Sequence, residues 1–181
     1  APLHPASPNS DLPDMTNYNI LFLCTGNSAR SIMAEALATT ESNGRFTGYS
    51  AGSHPGGVVN PFAIEMISTL DYPLDKLRSK NWDEFARPEA PKMDFVVTVC
   101  DNAAGEVCPV WPGQPVMAHW GFPDPAAVTG SDEEKRRAFR AVFVGIQARM
   151  RLLLAVPFDR LDRMSLQGEL RSIGKTPVQA T

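Results

Sequence analysis

Short apolar runs of strand type alternate along the chain with longer segments whose apolar residues recur at helical spacing. Asn19-Ile20-Leu21-Phe22-Leu23 reads as a first strand. It breaks at the turn-forming stretch after Cys24, and Ile32 to Thr40 follows as a helix with Met33, Ala34 and Leu37 on one face. Phe46 to Ala51 is a second strand and residues 52–57 a loop. Asn60-Pro61 opens a second helix, an N-cap followed by proline at the first helical position, with Ala63, Ile67 and Leu70 as its buried stripe. Residues 71–91 carry three prolines and read as an irregular connection with one helical turn around Trp82.

The clearest strand is Asp94 to Val99, nearly all apolar and rich in β-branched residues, as expected for a strand covered on both faces. A fourth, Pro115 to His119, tolerates its proline at the start. Ser131-Asp132-Glu133-Glu134 is a capping box opening a long helix to about Val156, with Phe139, Val142, Phe143, Ile146, Met150 and Leu153 on one face and Pro157 as its stop. Leu161 to Ile173 is a last helix, with Leu161, Met164 and Leu170 near helical spacing. The alternation predicts an α/β fold: a central four-stranded parallel sheet with helices on both sides, three layers in all. Ligands of such sheets bind beyond the carboxyl ends of the strands. Cys24, Cys100 and Asp124 all follow strand ends and therefore share one rim.

At 181 residues the length suits one domain. The formal charge of −3 and the lack of a basic run argue against nucleic acid as a partner. No apolar stretch is long enough to span a membrane, and the N-terminus has no secretory pattern, so a cytoplasmic protein is expected. Residues 1–17, with four prolines and no periodicity, read as a disordered tail or expression remnant, with Met15 a candidate start. The domain is expected over 18–174, with 175–181 as a tail.

The link between the first strand and first helix carries the chemistry. Such a loop leaves backbone N–H groups converging on one spot, backed by the positive end of the helix dipole, and binds tetrahedral oxyanions. Cys24 stands at its mouth, where that field favours a thiolate, and Arg30 brings a fork of donors matched to phosphate-like oxygens. Cys-x5-Arg alone arises by chance in roughly one such chain in five. The setting sharpens it: Gly26 is expected to free the backbone to turn its amides inward, Asn27 tolerates the left-handed region, and Ser28 and Ser31 offer hydroxyls. The bland alternative is a buried cysteine ending a core strand.

Three cysteines, Cys24, Cys100 and Cys108, are too few for a disulfide framework and point to catalytic or redox thiols. Zinc with His54 or His119 as fourth ligand competes weakly, because no Cys-x-x-Cys spacing is present. Were the Cys100 to Cys108 segment helical, the two α-carbons would stand about 12 Å apart, and a disulfide needs under about 7 Å. A bond between them therefore requires rearrangement, which Gly105 makes cheap; one buried and one incidental cysteine is the alternative. Asp124, in Trp120-Gly-Phe-Pro-Asp-Pro125, is expected under aromatic cover as a partly desolvated proton donor, or else as a turn cap.

Cys24-Thr-Gly-Asn-Ser-Ala-Arg30-Ser31, Ser50-Ala-Gly-Ser-His-Pro, Val-Thr-Val-Cys100, Cys108-Pro-Val-Trp-Pro and Trp-Gly-Phe-Pro-Asp124-Pro together resemble the arsenate reductases built on the low-molecular-weight protein tyrosine phosphatase fold. The match runs from about residue 18 to 174. The resemblance implies a Cys24 nucleophile, an oxyanion held by the loop Thr25, Gly26, Asn27, Ser28, Ala29, Arg30 and Ser31, and Asp124 as general acid. It implies a Cys24–Cys100 disulfide on arsenite release and, in the thioredoxin-coupled branch, transfer to Cys100–Cys108. Arsenate is the implied substrate, with phosphate or sulfate able to fill the same site, and no cofactor or metal is implied. Ala29 replaces a cysteine found in many thioredoxin-coupled relatives, and the Cys100 to Cys108 gap is one residue longer than usual. Thioredoxin, or glutaredoxin with a low-molecular-weight thiol, is the expected reductant. A phosphotyrosine phosphatase would use the same loop and acid but has no use for Cys100 and Cys108, and it usually carries tyrosines where Ala126-Ala127 stand. An oxyanion sensor would need no acid.

Overall fold

The computed structural model describes residues 16–105 and 109–177. Four strands, β1 (Tyr18–Cys24), β2 (Phe46–Gly52), β3 (Phe95–Thr98) and β4 (Val116–His119), form one parallel sheet in the order β2-β1-β3-β4. β1 is thus central, and its residues Ile20 to Leu23 are wholly buried, which explains the unbroken apolar run. The helices are α1 (Arg30–Thr40), α2 (Pro61–Ile67), α3 (Asp83–Ala86), α4 (Asp101–Ala104), α5 (Asp132–Leu154) and α6 (Arg163–Lys175).

The two faces of the sheet are covered unequally. Ile20, Phe22, Phe95 and Val97 meet the long helices, with Ile32, Met33 and Leu37 of α1 and the whole predicted apolar face of α5. Each such large side chain contributes about 1.5–3 kcal/mol on burial. Leu21, Leu23, Ala51 and Val96 on the other face meet Phe85 of the one-turn α3, Met93 and Trp111. Edge-to-face pairs Tyr49–Phe85 and Trp82–Trp111 close that side.

The caps follow the sequence. Asn60 accepts from Phe62 N–H, Ser131 from Glu134 N–H and Asp162 from Ser165 N–H. α2 ends three residues before Leu70, which packs on the core from the following turn. α6 begins two residues later than its pattern suggests, because Leu161 is extended. Its buried stripe is accordingly Leu170 and Ile173, supported by Leu166, and Met164, expected on that stripe, is 84% exposed. Among the described residues no helix is long and apolar enough to cross a membrane.

Candidate active site

β1 stops at Cys24 and α1 starts at Arg30, so five residues make the turn between them. Three of their carbonyls are satisfied by the surrounding chain: Thr25 O by His54 N–H, Gly26 O by Gly56 N–H and the Ser79 hydroxyl, and Ser28 O by Asn60 N–H. On the cavity side, the Thr25 N–H reaches Cys100 Sγ at 3.4 Å and the Gly26 N–H bonds Cys24. α1 itself has no side-chain cap at Ala29, so no side chain there takes up the first N–H groups of the helix.

Asn27, at φ 44°, is the residue that takes the left-handed conformation. Gly26, expected to supply the backbone freedom, is not at positive φ, and a Cβ there would meet nothing closer than Ser28 Oγ at 3.8 Å. The fully buried Asn27 side chain donates to Ser31 Oγ at 2.8 Å and accepts from Lys80 N–H at 2.9 Å. Asn27 and Ser31 therefore stand behind the loop as supports. The cavity in front, about 190 Å³, is lined by Cys24, Thr25, Gly26, Ser28, Ala29 and Arg30 of the loop and by Cys100, Asp124 and Ala126.

Cys24 and Cys100 are both buried, both free thiols, and in hydrogen-bond contact with each other. Cys100 also receives the Thr25 N–H at 3.4 Å and lies 3.7 Å from the Thr25 hydroxyl. Its ionisation is pulled down to about 5, first by the hydrogen bond from Cys24 and, against burial, by the N–H groups of Ala103 and Thr25. Cys24 is pushed up by donating that bond and by its own burial, against Arg30 and the Gly26 N–H. Of the two sulfurs, Cys100 is thus the one held toward the thiolate and Cys24 the one held toward the thiol. Cys108 lies outside the described residues.

Arg30 donates through Nη1 to Phe122 O at 3.0 Å, and its Nη2 stands 3.7 Å from Asp124 Oδ2. The guanidinium is thereby steered across the cavity mouth. Asp124 Oδ1 caps Ala126 N–H at 3.0 Å. The expected aromatic cover over this carboxylate is absent: Trp120 is buried in the core with its N–H on Leu170 O, Phe122 lies under the Arg149 guanidinium, and the Asp124 side chain is 46% exposed. Oδ1 serves the turn, as the turn-cap reading expected, and Oδ2 lies on the Arg30 side at the cavity.

Sequence reasoning passed over the layer behind the loop. Glu35, buried on α1, accepts from Ser50 Oγ at 2.7 Å and Tyr72 Oη at 2.5 Å and lies 3.6 Å from Lys80 Nζ. Burial pushes the Lys80 ammonium down against the pull of Glu35, and burial beside Glu35 pushes the Tyr72 phenol up. Lys80 thus joins a buried ion pair to the loop through its own N–H on Asn27. A larger cavity of about 510 Å³ opens on the far side of this network and contains none of the cysteines. The available signal was Glu35 itself, a charge inside the apolar run 32–38. Among the described residues no three His, Cys, Asp or Glu side chains are grouped to hold a metal. His54 bonds Ser53 and His119 bonds Asp101.

Residues 19–166 match the low molecular weight phosphotyrosine protein phosphatase family. An arsenate reductase of Halalkalibacterium halodurans is 41% identical over 128 residues, 71% of this chain and 88% of that protein. One from Bacillus subtilis is 39% identical over the same shares. Among solved structures, an arsenate reductase in the phosphate binding state superposes with a TM-score of 0.58 at 25% identity, covering 76% of this chain and 97% of that one. On this match, and on a sheet whose first strand ends in the Cys24 to Arg30 loop, the chain belongs to the low molecular weight phosphotyrosine protein phosphatase family.

Proposed function

We propose that this protein reduces arsenate to arsenite, with Cys24 as nucleophile and Cys100 as resolving thiol. The observation that carries the reading is the second thiol: Cys100 lies against Cys24 on the floor of the oxyanion cavity. A phosphatase requires one cysteine there. Ala126, also at the cavity, offers no ring surface for an aryl phosphate.

A proton moving along the hydrogen bond between the two sulfurs makes Cys24 the thiolate, where Arg30 and the Gly26 N–H favour it. Cys24 Sγ attacks the arsenic of an arsenate held by the loop amides and Arg30, and one oxygen leaves as water with a proton from Asp124. Arsenic is still pentavalent in this thiol ester. Cys100 Sγ then attacks Cys24 Sγ. The S–S bond forms as the As–S bond breaks, its electron pair goes to arsenic, and arsenite leaves. Two thiols have lost two electrons and arsenic has gained them.

Cys108 is assigned the next exchange: attack on Cys100 releases the Cys24 thiolate and leaves a Cys100–Cys108 disulfide. A dithiol protein such as thioredoxin, or glutaredoxin with a small thiol, closes the cycle in the cytoplasm, where thiols are kept reduced. Phosphate and sulfate compete for the same loop.

The test is single-turnover arsenite release from fully reduced protein with excess arsenate and no added thiol, followed by disulfide mapping. The expected result is about one arsenite per chain and a disulfide that includes Cys100. Failure to release arsenite, with aryl phosphate hydrolysis retained, overturns the reading in favour of a phosphatase.

A further inference from the structure

Cys100 has to serve two partners in turn, and the chain around it is held in two different ways. Up to Val99 the backbone is fastened into the sheet, with Val99 N–H on Leu23 O, Trp120 N–H on Thr98 O and Phe122 N–H on Val99 O. Beyond Cys100 lies α4, a single turn closed by Gly105 N–H on Asp101 O. Its first residue, Asp101, has a 94% exposed side chain that reaches sideways to His119 at the end of β4, Oδ1 to Nε2 at 2.9 Å.

His119 is itself oriented from behind: its Nδ1 lies 2.7 Å from Thr98 Oγ1 on β3. With the Thr98 hydroxyl donating to Nδ1, the ring proton sits on Nε2 and points at Asp101. The pair rests against Gly121, where a Cβ would stand 3.0 Å from Asp101 Oδ1 and 3.1 Å from His119 Nε2. Gly121 opens the loop that carries Phe122 O, the partner of Arg30, and then Asp124. The resolving-thiol segment and the acid loop therefore meet at this bond.

We propose that His119 is a positioning residue which, through Asp101, holds the segment beginning at Cys100 in register with the Cys24 loop. The tether keeps the Cys100 sulfur against Cys24 and the Thr25 N–H for the first exchange, and its release frees the segment for the second. This rests on the reading of Cys100 as resolving thiol, but the tether is measurable in the reduced protein with no arsenate present.

The experiment is peptide-resolved alkylation of Cys100 and Cys24 by iodoacetamide in reduced wild-type protein and in His119→Ala, Asp101→Ala, Asp101→Asn and the double alanine variant. An exposed pair of this kind sets an expected rise of about two- to fivefold in the Cys100 rate relative to Cys24 in each alanine variant. Asp101→Asn, which keeps the acceptor oxygen, stays near wild type, and the double variant shows no further rise than either single one. An unchanged Cys100 to Cys24 ratio in Asp101→Ala overturns the proposal, as do additive effects. Asp101, exposed to solvent, keeps the test valid if His119→Ala fails to fold. A wild-type protein that releases no arsenite, while the ratio still rises in the alanine variants, would count against the functional reading and leave the tether standing.

Discussion

Gly52, the last residue of β2, lies so close beneath Thr25 that the two backbones leave no room for a side chain between them. A Cβ on Gly52 would stand 2.7 Å from Cys24 O, 3.0 Å from Asn27 Cβ and closer still to Thr25 O. β2 thus ends in a glycine because the Cys24 to Arg30 loop folds down onto it.

Gly52→Ala must push the loop outward, since backbone oxygens cannot yield as a flexible side chain would. The expected costs are about 1–3 kcal/mol of stability and a marked loss of oxyanion affinity. Denaturant unfolding together with phosphate inhibition of turnover measures both; a variant with wild-type phosphate affinity would show that the loop does not depend on this contact.

Asp124→Asn keeps the cap on Ala126 and removes the proton that the departing oxygen needs. Single-turnover arsenite release should slow by about 10²–10⁴-fold. Phosphate should bind at least as tightly, because the amide keeps the cap on Ala126 and adds no charge beside Arg30. Unaltered kinetics would take Asp124 out of the reaction.

Asn27→Ala leaves the buried Lys80 N–H without its acceptor and Ser31 without its donor, and it places alanine in the left-handed region. A loss of about 2–4 kcal/mol is expected from one unsatisfied buried group plus the backbone cost. Chemical denaturation reads it, and a loss under about 0.5 kcal/mol would mean that the loop reorganises freely.

The thiol pair sets a pH dependence. Cys100 is lowered to about 5 while Cys24 is raised, so one thiolate persists above about pH 5 and is lost as pH falls through that value. Alkylation summed over the Cys24 and Cys100 peptides of the reduced, anion-free protein should be flat from about pH 8 to 6 and fall below 5, whereas an ordinary thiol loses reactivity from about 8.5 downward. A midpoint near 8.5 would mean that Cys100 is not held toward the thiolate.

The strands were legible because Ile20 to Leu23 and Phe95 to Val97 are buried on both faces and carry little but apolar side chains. The loop was legible because a cysteine and an arginine flank turn residues between strand and helix. The ion pair behind it was hidden: Lys80 sits in a proline-interrupted segment without periodicity, and only three-dimensional proximity joins it to Glu35, Ser50 and Asn27. The importance of Gly52 was equally hidden, since a glycine ending a strand looks like any turn glycine. Trp120 misled, because an aromatic neighbour in sequence turned its ring into the core and away from Asp124.

The central place of β1 gives the two sulfurs different mechanical lives. Cys24 closes a strand hydrogen-bonded along both edges, with register partners through Gly52 on one side and Thr98 on the other. It is a fixed post. Cys100 follows the end of a four-residue strand and leads into one turn of helix. In the relay proposed above, the travel therefore falls to the Cys100 side, and the Cys24 post with the loop behind it can stay where the sheet fixes it.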